Sequence, residues 1–125
     1  MLNDYVANLE GATEVQKIFA KNAAAAELKD LGYESISKSL YDQSIPENQK
    51  ILQHRDDGQY SPAFIENLKK ATGNALNNRG LIQKKSGDLQ GAFDDFKAGA
   101  DLGSQKALEH FQQLQKLPEF QNLPQ

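Results

Sequence analysis

The chain contains no cysteine among its 125 residues. Disulfides and thiolate metal sites are therefore excluded, and a reducing, cytoplasmic setting is expected. No apolar run approaches the ~20 residues that a membrane-spanning helix needs, so no membrane contact is expected. The first residues, Met1-Leu2-Asn3-Asp4-Tyr5, have neither the basic nor the apolar stretch of a secretory leader. Apolar residues are scarce, at 38%, and the mean hydropathy is −0.68. Such values suit thin or helical folds, in which every element keeps much solvated surface. The net charge is −3, from 17 acids against 14 bases. That argues against a nucleic-acid surface, which calls for a basic domain.

Catalytic signatures are missing as well. There is no Gly-x-Ser-x-Gly elbow and no phosphate-cradling glycine loop. His54 and His110 lie far apart, and neither has a second ligand at helical spacing. Asp56-Asp57 and Asp94-Asp95 lack the ligand spacing of a calcium loop. Asp57 reads as part of a turn, and Asp94, Asp95 and Asp101 as a solvated outer face. The expectation is no catalysis, no metal and no cofactor.

What the chain does have is a period. Gly58-Gln59-Tyr60-Ser61-Pro62-Ala63-Phe64 aligns with Gly87-Asp88-Leu89-Gln90-Gly91-Ala92-Phe93, 29 residues later. Ala71 falls on Ala100, and a glycine follows each, at Gly73 and Gly103. A supersecondary unit repeated at this period predicts a helical array, which presents a surface to a partner.

Helix signals run throughout the length expected of one domain. Asp4 to Leu9 reads as a short helix stopped by Gly11. Thr13-Glu14-Val15-Gln16 and Ser44-Ile45-Pro46-Glu47 are capping boxes, the second with proline in the first turn. The first opens a helix that carries Val15, Ile18, Phe19, Ala23 and Ala26 to a stop at Gly32. Glu34 to Tyr41 reads as a short helix, its alternating serines leaving a strand open. The second box predicts a helix from Ser44 to about Asp56. Ser61-Pro62 opens the next, expected to close at Gly73. Asn74 to Lys85 follows as a separate helix. Asp88 and Ser104 cap two more, and Pro118 ends the last, before an extended tail. Turns are expected at Gly32, Gly58, Gly87 and Gly103. Ala63 and Ala92 are expected where paired helices approach most closely, with Phe64 and Phe93 buried beside them.

Asn77-Asn78-Arg79-Gly80-Leu81, then Ser86-Gly87-Asp88-Leu89, then Ala92, Phe96 and Ala100 resemble the tetratricopeptide repeat. That motif has a small residue in its first helix, a Gly-Asp turn, then a small and an aromatic residue in its second. Ala100-Asp101-Leu102-Gly103-Ser104-Gln105-Lys106-Ala107 is similar to the junction of the related Sel1-like repeats. The resemblance covers residues 46–117. It departs from the family at Ile51, where a small residue is usual, at Gln83, where a tyrosine is usual, and in its short period. It implies an all-α, right-handed stack of antiparallel helical hairpins. The corresponding division is an N-terminal helical cap or degenerate hairpin at 1–43, repeats with a C-terminal capping helix at 44–117, and a tail at 118–125.

In such arrays the first helix of each pair lines the concave face. The resemblance then places Asn48, Leu52 and Arg55 opposite Asn77, Leu81 and Lys84 as one stripe of amide, apolar and cationic contacts. Asn74, Asn78 and Lys85 flank it. A non-catalytic module binding a protein or extended peptide is implied, the ligand bearing acidic side chains or a C-terminal carboxylate. The tail, with Phe120 and Leu123, is a candidate occupant and hence a route to self-association. The alternative is a small acidic immunity protein or secretion chaperone that neutralises one dedicated partner. The two differ in whether many ligands share a motif or one partner is captured.

Overall fold

The computed structural model describes residues 14–121. The predicted Asp4–Leu9 helix and the Thr13 cap lie outside them. The chain is all-α, with no strand among the described residues. Five substantial helices follow one another: α1 (Glu14–Asp30), α2 (Glu34–Gln53), α3 (Pro62–Ser86), α4 (Leu89–Asp101) and α5 (Gln105–Gln115). A 3-10 turn at Arg55–Asp57 follows α2, and a single helical turn, α6 (Pro118–Gln121), follows α5. Consecutive helices pack pairwise, and α3 also touches α1 and α5, so it is the axis of the molecule.

All four predicted turn glycines have positive φ, from +79° at Gly58 to +95° at Gly87 and Gly103. A side chain is strained in that region, and glycine is not. The helix starts follow their caps. The Ser61 hydroxyl accepts from the Phe64 N–H at 3.1 Å, the Asp88 carboxylate from Gly91 at 2.9 Å, and the Ser104 hydroxyl from Ala107 at 3.2 Å.

Two predicted boundaries are absent. Ser44 does not begin a helix; it lies buried inside α2, which runs straight through Pro46 and through the division at 43/44. Proline removes the bond to the carbonyl four residues back and ordinarily breaks a helix. Here Leu40, Tyr41, Ile45 and Leu52 bury one face on both sides of it, and that burial holds the two halves in line. Gly73 does not end a helix either. It sits within the 25-residue α3 in helical conformation. Its bare Cα admits the α4–α5 turn, since a Cβ there would stand 3.3 Å from Ser104 Cβ and 3.5 Å from the Gly99 carbonyl. Gly73 is a packing glycine where a turn glycine was expected.

The core has three parts. Ala25, Leu40, Tyr41, Ile45, Ala75, Leu76 and Ile82 join α1, α2 and α3. Leu52, Ile65 and Leu68 close the lower end, with Phe19 set edge-on to Phe64 at 6.0 Å. Ala92, Phe96, Leu114 and Phe120 fill the space between α3, α4 and α5. Ala92 is fully buried as predicted, whereas Ala63 is exposed. Ala63 lies on the solvent side of the first turn of α3, while its neighbour Phe64 packs on Phe19. The tail prediction fails at Phe120: it is buried in a helical turn and stacks on Phe93 at 4.5 Å. A residue already in the core offers nothing to a neighbouring groove; Leu123 lies outside the described residues.

Candidate functional site

Three of the six stripe residues are interior. Asn48 is fully buried, Leu52 is 4% exposed and belongs to the lower core, and Asn77 is 5% exposed. Leu81 is half-buried against the Phe96 cluster. Arg55 and Lys84 are exposed. Leu52 and Arg55 line a depression of about 360 Å³ with Asp101 and Leu102, and none of Asn77, Leu81 and Lys84 reaches it. Sequence register placed both triplets on one helical face. Its amide and apolar positions turn inward because α2 and α3 each bury them against a neighbour, while the cation at the end of each triplet stays outside.

The interior amides differ in how they are satisfied. Asn77 Oδ1 is 2.9 Å from His110 Nδ1, whose ring lies 5.0 Å from that of Phe96. Burial pushes the His110 pKa below its ordinary 6.5, and Lys84 pushes the same way. The folded chain therefore favours neutral His110. This contribution to stability is whole above pH 6.5 and is lost as pH falls below it. An NMR titration of the His110 ring is expected to give a midpoint under 6.5. A midpoint at or above that value would contradict the packing described.

Asn48 has no such partner. Among the described residues, neither amide atom of Asn48 or Asn22, nor the Ser44 hydroxyl, has a hydrogen-bond partner, although all are buried. An orphaned buried polar group costs about 1–3 kcal/mol. Asn48→Leu, nearly isosteric, is expected to raise stability by about that amount, measured by urea denaturation. A loss of stability would show that Asn48 holds a buried water or ligand.

A second polar system crosses the helices. Arg79 of α3 donates from Nε and Nη2 to the two Asp95 oxygens of α4 at 2.7 and 2.9 Å. Its Nη1 donates to Asp42 of α2 at 3.1 Å. Gln83 Nε2 adds a bond to Asp95 at 2.5 Å. These bonds hold the Arg79 pKa above its ordinary value in spite of burial. Asp95, expected on a solvated face, is 6% exposed. The available signal was its place three residues after buried Ala92, beside Phe96. Every group in this system has a partner, which marks it as structural.

The accessible polar feature lies where α3 faces α1, with Tyr41 of α2 at its edge. Lys70, Asn74 and Asn78 recur at four-residue spacing, with Ala71 and Ala75 between them, so they share one face. Asn74 and Asn78 were flanking residues in the sequence; here they line the cleft. It measures about 230 Å³, is floored by Phe19, Ala23, Ala26, Ala71 and Ala75, and is edged by Asn22, Asn74, Asn78 and Tyr41. Asn78 donates to the Tyr41 hydroxyl at 2.9 Å, and burial pushes that phenol up from its ordinary pKa. Asn74 also borders a second depression, of about 290 Å³, with Lys70, Ser104, Gln105 and Lys106. Gly73 makes this continuity possible, because it lets Ser104 sit against α3.

No group of three or more His, Asp or Glu among the described residues is placed to hold a metal. No helix among them is long and apolar enough to cross a membrane. No protein-family profile, no curated protein and no solved structure matches this chain.

Proposed function

We propose that this chain is a non-catalytic binding module of the tetratricopeptide-like, helical-repeat kind, taking a protein or peptide segment along the cleft between α1 and α3 and the depression that adjoins it at Asn74. The observation that carries the reading is the pair of contiguous depressions sharing Asn74, apolar on one side and cationic on the other. An exposed asparagine between them has a donor and an acceptor to offer a peptide backbone. The repeat-like hairpin of α3 and α4 supports the class, with Gly80 against Phe96 and a buried Ala92. The proposed surface differs from the Asn48–Lys84 stripe, whose amides are interior.

The alternative, one dedicated partner for a small acidic protein, draws on the α1–α2 turn. Leu31, Tyr33 and Ile36 are more than half exposed there. Such a patch suits a flat interface.

The two surfaces separate by photocrosslinking in the native host, with benzoylphenylalanine at Asn74, at Tyr33, or at Gln90 as a control. The proposal expects discrete crosslinked species from position 74. Crosslinks from 33 alone favour the dedicated-partner reading; none above the Gln90 control at position 74 would defeat the proposal.

A further inference from the structure

We infer that the turn between α1 and α2 is a hinge through which two copies of this chain exchange α1, each copy docking the other's α1 on its own α2 and α3. Leu31, Tyr33 and Ile36 form the contact that seals the exchange. This goes beyond the binding reading above and stands on a different part of the molecule.

The first observation is apolar exposure. Among the described residues, the large apolar side chains that stand exposed are Leu31 at 65%, Tyr33 at 57% and Ile36 at 51%, all at this one turn. At ~200 Å² per large side chain they offer about 350 Å², far short of the ~800 Å² per partner of a stable interface. Two copies touching by this patch alone would not hold together. Exchange supplies the missing area. It transfers the α1 interface between chains and sets the two hinges side by side at the two-fold axis.

The second observation is that α1 is weakly held. Its buried side chains among the described residues are Asn22, Ala24 and Ala25, while Ile18, Phe19 and Leu28 are half-buried. The α2 stripe that meets it is polar. Ser37 donates to the Ala25 carbonyl at 2.6 Å, and Ser44 and Asn48 share that face of α2 at helical spacing. Asn22, Ser44 and Asn48 are the buried groups without a hydrogen-bond partner among the described residues. An interface of alanines and unpaired amides opens more readily than the aromatic core around Phe96.

The turn itself is short, running from Asp30 to Glu34 with Gly32 at φ +91°. The closed turn requires that positive φ, and an opened one does not. Short hinge loops favour exchange of the element they carry. Exchange also rebuilds the α1–α3 cleft from two chains, since Phe19, Asn22, Ala23 and Ala26 then come from the neighbour.

The test uses isotopically light and heavy chains refolded together at ~1 mM, with the dimer isolated by size exclusion at twice 13.9 kDa. A zero-length carbodiimide then couples lysines to adjacent acids. Lys21 lies 3.9 Å from Glu47 across α1 and α2, and Lys85 lies 2.7 Å from Glu34 across α3 and α2. The expected result is mixed light–heavy Lys21–Glu47 peptides beside Lys85–Glu34 peptides of a single isotope. Leu31→Ser/Tyr33→Ser/Ile36→Ser should weaken the dimer at least about tenfold. Gly32→Ala should strengthen it at least about tenfold, because a Cβ there meets nothing within 4 Å and strains only the closed turn. A chain that stays monomeric leaves the patch to a different partner and overturns the inference. A dimer whose Lys21–Glu47 peptides are all of one isotope overturns it too, as does a Gly32→Ala dimer no tighter than wild type. The crosslinking at Asn74 decides the binding reading independently.

Discussion

Arg79→Ala is expected to cost about 3–5 kcal/mol, the range for removing one member of a buried ion pair. The reason lies with the residue left behind. Asp95 is 6% exposed and loses two of its three side-chain bonds, keeping only Gln83. Its charge is then buried without a cation. Arg79 itself keeps 19% side-chain exposure, and its other partner, Asp42, is well solvated, so the lower half of the range is favoured. Lysine should recover only part of the loss, because it lacks the fork that meets both Asp95 oxygens. Replacing both partners, Arg79→Met with Asp95→Leu, should recover most of it. Urea denaturation with an unchanged slope is the measurement. An Arg79→Ala variant within about 1 kcal/mol of the parent would mean that this pair behaves as a surface salt bridge.

The second large effect is steric. A Cβ at Gly80 would stand 2.6 Å from Phe96 Cε1 and 2.8 Å from Cδ1. Phe96 has no exposed surface, and the His110 ring lies 5.0 Å from it, so the ring has little room to retreat. Helix propensity alone favours Gly80→Ala by about 1 kcal/mol. Overpacking costs about 1–3 kcal/mol and wins. Gly80→Val adds further atoms in the same place and should be worse. A Phe96→Leu change in the Gly80→Ala background should restore part of the loss by giving the new methyl room. If Gly80→Ala proves stabilising, α3 and α4 are further apart than described.

The local grammar of this fold was legible and its long-range consequences were not. Ser61, Asp88 and Ser104 signal their helices by hydroxyl or carboxylate caps, and the four positive-φ glycines signal turns. These are single-residue effects that need no tertiary knowledge. Pro46 and Gly73 are the instructive misses. Each is a breaker by local rule, and each is overridden by contacts from other helices: buried Leu40, Tyr41, Ile45 and Leu52 beside the proline, and the α4–α5 turn against the glycine. The candidate site was lost for the same reason. Register correctly grouped Asn48 with Leu52 and Asn77 with Leu81, but only packing decides which face of a helix looks outward. Because α3 is longer than expected and is covered on several sides, its accessible polar stripe falls on Lys70, Asn74 and the half-buried Asn78. Two of these were flanking residues in the sequence reading.

The central claim is that a partner is engaged through that stripe. Two double charge reversals, equal in charge change, decide it: Lys70→Glu/Lys106→Glu against Arg55→Glu/Lys84→Glu, each compared with wild type for capture of the partner crosslinked at Asn74. All four substituted positions are exposed, so stability should change little in either variant. The account predicts that the first set abolishes capture and that the second leaves it at the wild-type level. Loss of capture by the Arg55/Lys84 pair alone, with the α3 set unaffected, would contradict it and return the site to the stripe that the repeat register implied.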